Sequence, residues 1–207
     1  MINSSWYKSW HEHEHHRHFH WLIFIAIALI CTVLLWTQIK VWLYTGQEEV
    51  VISLSKAQAM LSLSPQYKVL KVGETFSVDI ILDTANGKID AVDIYSLHYD
   101  PTILKVVDDV ANQSGIQIKP GPIMNSTAVN TVEEASGTIK FGRLSAGGTT
   151  FTGIGVLATI NFQTLASGSS YLKFDFNKTS TTDTNAAHRG KDQLVRVVDA
   201  IYMVTAK

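Results

Sequence analysis

From Phe19 to Ile39 the chain runs for 21 residues without Asp, Glu, Lys or Arg, and this run limits the fold more than any other feature. At about 1.5 Å of rise per residue, a helix of that length matches the roughly 30 Å hydrocarbon layer of a bilayer. Trp21 stands near one end and Trp36 and Trp42 at the other, where interfacial aromatic belts form, and Lys40 is placed to snorkel towards headgroups. A cleavable signal peptide needs a shorter apolar region and small residues at the cut, whereas Leu34-Leu35-Trp36-Thr37-Gln38 is bulky. Residues 19–43 are therefore expected to form an uncleaved transmembrane α-helix with its interface, in contact with the lipid bilayer. Ala28-Leu29-Ile30-Cys31 has the look of a lipoprotein site but lacks the small residue before Cys and lies mid-span. Cys31 is the only cysteine, so no intrachain disulfide forms and a hydrophobic core must hold the rest.

The run divides the chain unevenly. Six of the eight His and all five Trp precede Tyr44. Overall, 17 Lys plus Arg face 18 Asp plus Glu, a balance that excludes a basic nucleic-acid binder. Ahead of the span, residues 1–18 form a His-rich segment expected on the cytoplasmic side. Lys8 and Arg17 there, against Lys40 and distant Lys56 beyond, favour that orientation weakly. If this segment is helical, His11 shares a face with His15 and His16 with His20, a spacing able to hold Zn or Ni. The plainer reading is a solvated segment whose charge rises below about pH 6.5 and meets anionic headgroups. An engineered affinity tag is a third reading of the alternating His and Glu. Residues 44–58 make a short stalk, with Gln47-Glu48-Glu49 as its polar part.

After Ala59 the hydropathy alternates. In Phe76-Ser77-Val78-Asp79-Ile80-Ile81-Leu82-Asp83, the residues Phe76, Val78, Ile80 and Leu82 share one face of a strand. The same period places Tyr95, Leu97 and Tyr99 inward on one strand, Val156, Ala158, Ile160 and Phe162 on another, and Leu172, Phe174 and Phe176 on a third. Further strands are expected around Leu61 to Leu63, Leu104 to Val107, Thr138 to Leu144 and Ile201 to Val204. Ala85-Asn86-Gly87-Lys88, Asp100-Pro101, Gly121-Pro122, Ala146-Gly147-Gly148 and Ala166-Ser167-Gly168-Ser169 supply the turns between them. Residues 59–207 thus predict an all-β, antiparallel two-sheet jelly-roll sandwich of about nine strands, large enough to bury a core unaided.

Several of these segments, in this order and spacing, resemble the cohesin domain. They are Val72-Gly73-Glu74-Thr75-Phe76, Leu97-His98-Tyr99-Asp100-Pro101-Thr102-Ile103-Leu104, Gly137-Thr138-Ile139-Lys140-Phe141-Gly142, and the strand from Phe151-Thr152-Gly153-Ile154-Gly155 through Val156-Leu157-Ala158 to Phe162. Their local roles follow from chemistry. Asp100 can cap a turn while Pro101 fixes φ and Leu104 re-enters the core, and the glycines before Val156 permit close approach. The resemblance implies a jelly-roll sandwich that binds dockerin modules on the outward face of one sheet. Mapped by side-chain parity, that face shows Val92, Ile94, Ser96 and His98, with Lys140, Gly142 and Leu144 beside them. Such a face is unusually apolar, because an acidic residue stands in the best-studied cohesins where this chain has Ile94. Cover by a loop or by the stalk is the other explanation for an outward Val92 and Ile94.

Enzyme signatures are missing from the sequence: no Gly-x-Ser-x-Gly, phosphate loop or His-Glu-x-x-His occurs. Ser145 with His98 and Asp100 is a triad in name only, since a turn needs Asp100. Asp183, Asn185 and Asp192 gather hard oxygens, but without the spaced Gly and final Glu of a calcium loop. Sequons at Asn112, Asn125 and Asn177 bear only on a glycosylating host. The expectation is a non-catalytic, cofactor-free binding module outside the cell, on a single-pass anchor with a cytoplasmic amino terminus, gripping a dockerin-like protein. Two alternatives are a surface-tethered module for polysaccharide and a self-associating structural protein. For the former, no aromatic row is evident, and Tyr67, Tyr171 and Tyr202 read as isolated core or edge residues.

Overall fold

The structure, a computed structural model, describes residues 25, 27–36, 39, 58–110, 112–180 and 182–207. The chain divides into two compact units, Met1–Ser55 and Lys56–Lys207. In the first, residues 25, 27–36 and 39 are helical, with Ile25, Ile30, Val33, Leu35 and Trp36 exposed. Among the described residues no helix is long and apolar enough to cross a membrane. The remainder of the 19–43 segment, the His tract with His11, His15, His16 and His20, and most of the stalk lie outside the described residues.

The second unit is built from strands. Along the chain they are β1 (Ala59–Ser64), β2 (Tyr67–Lys71), β3 (Thr75–Asp83), β4 (Ala91–His98), β5 (Leu104–Val106), β6 (Lys119–Pro120) and β7 (Ser126–Glu133). There follow β8 (Thr138–Leu144), β9 (Ile154–Thr164), β10 (Gly168–Phe174), β11 (Asn185–His188), β12 (Lys191–Asp192), β13 (Leu194–Val198) and β14 (Ala200–Thr205). One sheet has the order β13-β1-β3-β9-β5, with β6 also on β9; the other runs β12-β11-β4-β10-β14-β2, with β8 on β4 and β7 on β8. The number exceeds the expected nine because the first and last long strands are each broken as they pass from one sheet to the other, and because β6, β11 and β12 are short.

Those broken strands also correct the all-antiparallel expectation. β1 pairs with β13 and β2 with β14, both in parallel. Chain entry and exit thus travel side by side, crossing between the sheets at Pro65-Gln66 and at Asp199. The crossing is pinned by Ile201 N donating to Gln66 O at 2.8 Å, Tyr202 Oη to Pro65 O at 2.5 Å, and Phe174 N to Asp199 Oδ1 at 3.0 Å.

Between the sheets, period-two alternation buries Leu61, Leu63, Val78, Ile80, Leu82, Ile139, Phe141, Ile160, Phe162 and Leu172 completely or nearly so. Phe162 stacks on Phe76 at 5.6 Å between centroids and meets the edge of Tyr99 at 5.4 Å, while Tyr202 lies 4.8 Å from Phe76. Offset and edge-on pairs of this kind add to what area burial alone contributes. Phe176 packs only partly against the core, and Val156 is half-buried because the register of β3 and β9 shifts there and brings Leu157 inward.

The Tyr-Asp-Pro step forms as expected. Asp100 Oδ1 accepts from Thr102 N at 2.9 Å and Thr102 Oγ1 at 2.6 Å, and Leu104 N donates back to Asp100 O at 3.0 Å. Gly137 is held against this turn at φ +64°, and a Cβ there would lie 2.2 Å from Tyr99 O.

Candidate functional site

β4 decides which side chains face outward. Val92, Ile94 and Ser96 are buried, with exposures of 1%, 0% and 7%, whereas Asp93, Tyr95 and His98 face solvent. This corrects the parity assignment that placed Val92, Ile94 and Ser96 outward and Tyr95 inward. A β-bulge accounts for it: the register of β4 on β8 shifts between Ile94 and Leu97, and one extra residue flips every side chain on one side of it. Counting back from Leu97 and Tyr99, which are buried as expected, gives the wrong face for residues before the bulge. The loop after β10 fixes the irregularity, with Asp175 N donating to Ser96 O at 2.8 Å.

On β8, Lys140, Gly142 and Leu144 alternate with the inward Ile139, Phe141 and Arg143. Gly142 itself is enclosed, lying in register with Asp93 on one side and Val129 of β7 on the other. The outward surface of the β7-β8-β4 layer is therefore mixed. Tyr95, Leu144 and Val129 are 52%, 42% and 41% exposed, and around them stand Asp93, His98 and an ion pair of Lys140 Nζ with Glu133 Oε1 at 3.0 Å. Asp93 supplies this face with a carboxylate. Neighbouring strands crowd it enough that burial raises its pKa above the usual carboxylate value. The hydrogen bond from Lys140 and its charge lower that of Glu133.

Beneath the same end of the sheet, buried Arg143 donates to Thr127 Oγ1 at 2.9 Å, to the carbonyls of Gly121 and Ile123 at 3.3 and 3.2 Å, and to that of Met124. The planar fork of the guanidinium gathers three backbone acceptors, a task that a lysine ammonium cannot copy. Beyond Leu144 the face opens into a cleft of about 560 Å³ that includes Lys88, Asp90, His188 and Arg189. There Asp90 Oδ2 accepts from Arg189 N at 2.8 Å and meets His188 Nδ1 at 3.0 Å.

The nominal triad does not assemble. His98 is in register with Thr138 at one end of β8 and Ala91 with Leu144 at the other, so Ser145 and His98 are separated by most of a strand, on the order of 20 Å. Asp192 Oδ1 accepts from the main-chain nitrogens of Ala186 and Leu194, and Asp183 accepts from Asn177 N. Among the described residues no group of three or more His, Cys, Asp or Glu is placed to hold a metal ion.

The cohesin domain model matches residues 65–197. This chain belongs to the cohesin family. Cohesin domains are non-catalytic binding modules. Solved structures share the fold of this cohesin domain. The seventh ScaB type I cohesin from Pseudobacteroides cellulosolvens is 20% identical over 72% of this chain and 93% of its own, with a TM-score of 0.53. A type II cohesin domain from the cellulosome of Acetivibrio cellulolyticus is 16% identical over 71% and 95%, with a TM-score of 0.54. The third cohesin ScaC of Acetivibrio cellulolyticus, in complex with the ScaB dockerin, is 18% identical over 71% and 99%, with a TM-score of 0.52. No curated protein matches the chain.

Sequence reasoning missed Asp93 and Tyr95 on the outward face of this cohesin domain. It also missed a second grouping. Tyr202 is buried, but Tyr67 and Tyr171 are 55% and 64% exposed and flank Ile201 across neighbouring strands. The sequence signal for that row is the outward parity of each residue on its own strand. Only the order β10-β14-β2 brings the three together.

Proposed function

We propose that this cohesin domain binds a dockerin-type protein module on the outward face of β7, β8 and β4, with Tyr95 as the central contact. The single observation that supports this reading is the exposed Tyr95, Leu144 and Val129 surface, bordered by Asp93 and the Lys140 and Glu133 pair. An apolar centre with an aromatic anchor and a charged rim is the usual make-up of a specific protein interface. The ScaC relative, which binds its dockerin, supports the choice of partner. The roles of His98, Lys140 and Leu144 carry over from the sequence reading, whereas Val92, Ile94 and Ser96 become support for the face. Titrating the full chain against purified dockerins of both interaction types, by calorimetry, tests the proposal. A Tyr95→Ala variant that binds as well as the native protein overturns it.

The proposal includes placement. Residues 19–43 anchor the chain in a membrane with residues 1–18 in the cytoplasm, and residues 59–207 stand outside the cell. The charge-free run and the exposed apolar side chains of its described helical residues support an anchor. Protease added to intact cells should remove the sandwich and spare the amino-terminal segment.

A further inference from the structure

The outward surface of β10, β14 and β2 continues the same sheet past β4 and adjoins the docking face where Lys173 is in register with His98. Tyr171 is in register with Ile201, and Ile201 with Tyr67, so the three residues form a line across the strands. One step along, Met203 is in register with Val69, again on the outward side. Tyr67 donates its hydroxyl to Met203 Sδ at 3.4 Å, which leans the side chain along the sheet, and the residue stays largely exposed. The outward positions of these three strands include Lys71 and Lys173 but no Asp or Glu.

Geometry limits what this surface can hold. Two strand spacings separate the tyrosines, about 10 Å, by about 7 Å along the strands, so the apolar platform measures no more than a few hundred Å² where a stable protein interface buries roughly 800 Å² per partner. It is too small to hold a second copy of the chain and suits a narrow, extended ligand. The spacing matches one that repeats every second ring, with one ring unit over each strand. An extended β-linked chain of pyranose sugars has that repeat. Its sugar faces present C–H groups to the electron-rich faces of aromatic rings, while its edge hydroxyls come within reach of Ser169 and the Lys173 ammonium, each two residues from Tyr171 on β10.

We propose that Tyr67, Ile201 and Tyr171 form a stacking platform for one extended β-linked polysaccharide chain, laid across β2, β14 and β10. The stacking line crosses β10 at Tyr171, beyond the Lys173 and His98 pair that borders the docking face, so a partner protein and a glycan can be held side by side. In the line, Tyr67 and Tyr171 each stack one sugar and Ile201 supports the sugar between them.

Retention of the full chain on insoluble cellulose, in a detergent without sugar headgroups, tests this, with starch as the bent-chain control. The chain is expected to pellet with cellulose and not with starch. Tyr171→Ala and Tyr67→Ala should each weaken retention by about tenfold, and Tyr171→Phe, which keeps the ring, should retain native binding. A soluble cello-oligosaccharide titrated into the native protein should perturb the tyrosine near-ultraviolet spectrum, a readout that needs no variant to fold. Three results each overturn the proposal: no retention on cellulose, xylan or chitin; retention unchanged in the double alanine variant; or self-association in the native chain that the same substitutions abolish without any glycan retention.

Discussion

Tyr202 in β14 donates its hydroxyl to the carbonyl oxygen of Pro65 at 2.5 Å, joining the last strand to the point where the first changes sheets. The ring beneath that bond is fully buried against Phe76, so removing only the oxygen isolates the contribution of the bond. Tyr202→Phe should cost about 1 kcal/mol of unfolding free energy with an unchanged denaturant slope. Urea titration followed by circular dichroism measures it, and an effect near zero would show the crossing to be held by packing alone.

Ile94 and Tyr95 are adjacent in sequence and opposite in role. Ile94→Asp puts an unpaired charge into the core and should cost more than about 4 kcal/mol, enough to leave the domain largely unfolded. Tyr95→Ala should shift stability by less than about 1 kcal/mol while weakening dockerin binding by an order of magnitude or more. Thermal melting beside calorimetric titration separates the two, and equal melting temperatures for both variants would contradict the assigned face.

Alkaline pH should find a weakness in the core. Burial, with the nearby charge of Glu134, pushes the Tyr99 hydroxyl up to about 12 from its ordinary 10.0, and burial raises Tyr202 as well. Both groups keep their protons in the folded chain after the unfolded chain has begun to lose them. Since the folded state binds more protons in that interval, stability is complete below about pH 10 and falls as pH rises towards about 12. Tyrosinate absorbance and ellipticity recorded together should show these two residues ionising only as the fold is lost.

Arg143→Lys should release the segment around Gly121 to Met124. The ammonium keeps the charge but cannot reach the three carbonyls at once, and each buried acceptor left without a donor costs roughly 1 to 3 kcal/mol. Faster proteolysis near Ile123, with a lower midpoint in urea, is the expected result.

Much of this architecture was legible in the sequence because burial and period two coincide. Phe76, Val78, Ile80 and Leu82 went inward, Asp100 capped its turn, and Gly155 occupies a close approach, as the motifs implied. The face was misread at one place for a physical reason. Parity carries along a strand only while the ladder is regular, and the shift between Ile94 and Leu97 leaves no mark in hydropathy, since Val92, Ile94, Tyr95 and Leu97 are all apolar. Tyr67 and Tyr171 were invisible as a pair because they become near neighbours through a parallel strand contact, which local pattern does not encode.

The interlaced first and last strands carry a consequence for crowding. β13 and β2 form the outer margins on that side, and each runs for only five residues before its chain turns into the interior of the opposite layer. A margin so short offers a stranger's backbone little to zip onto. Along these two margins a neighbouring copy therefore finds little backbone on which to add a strand of its own.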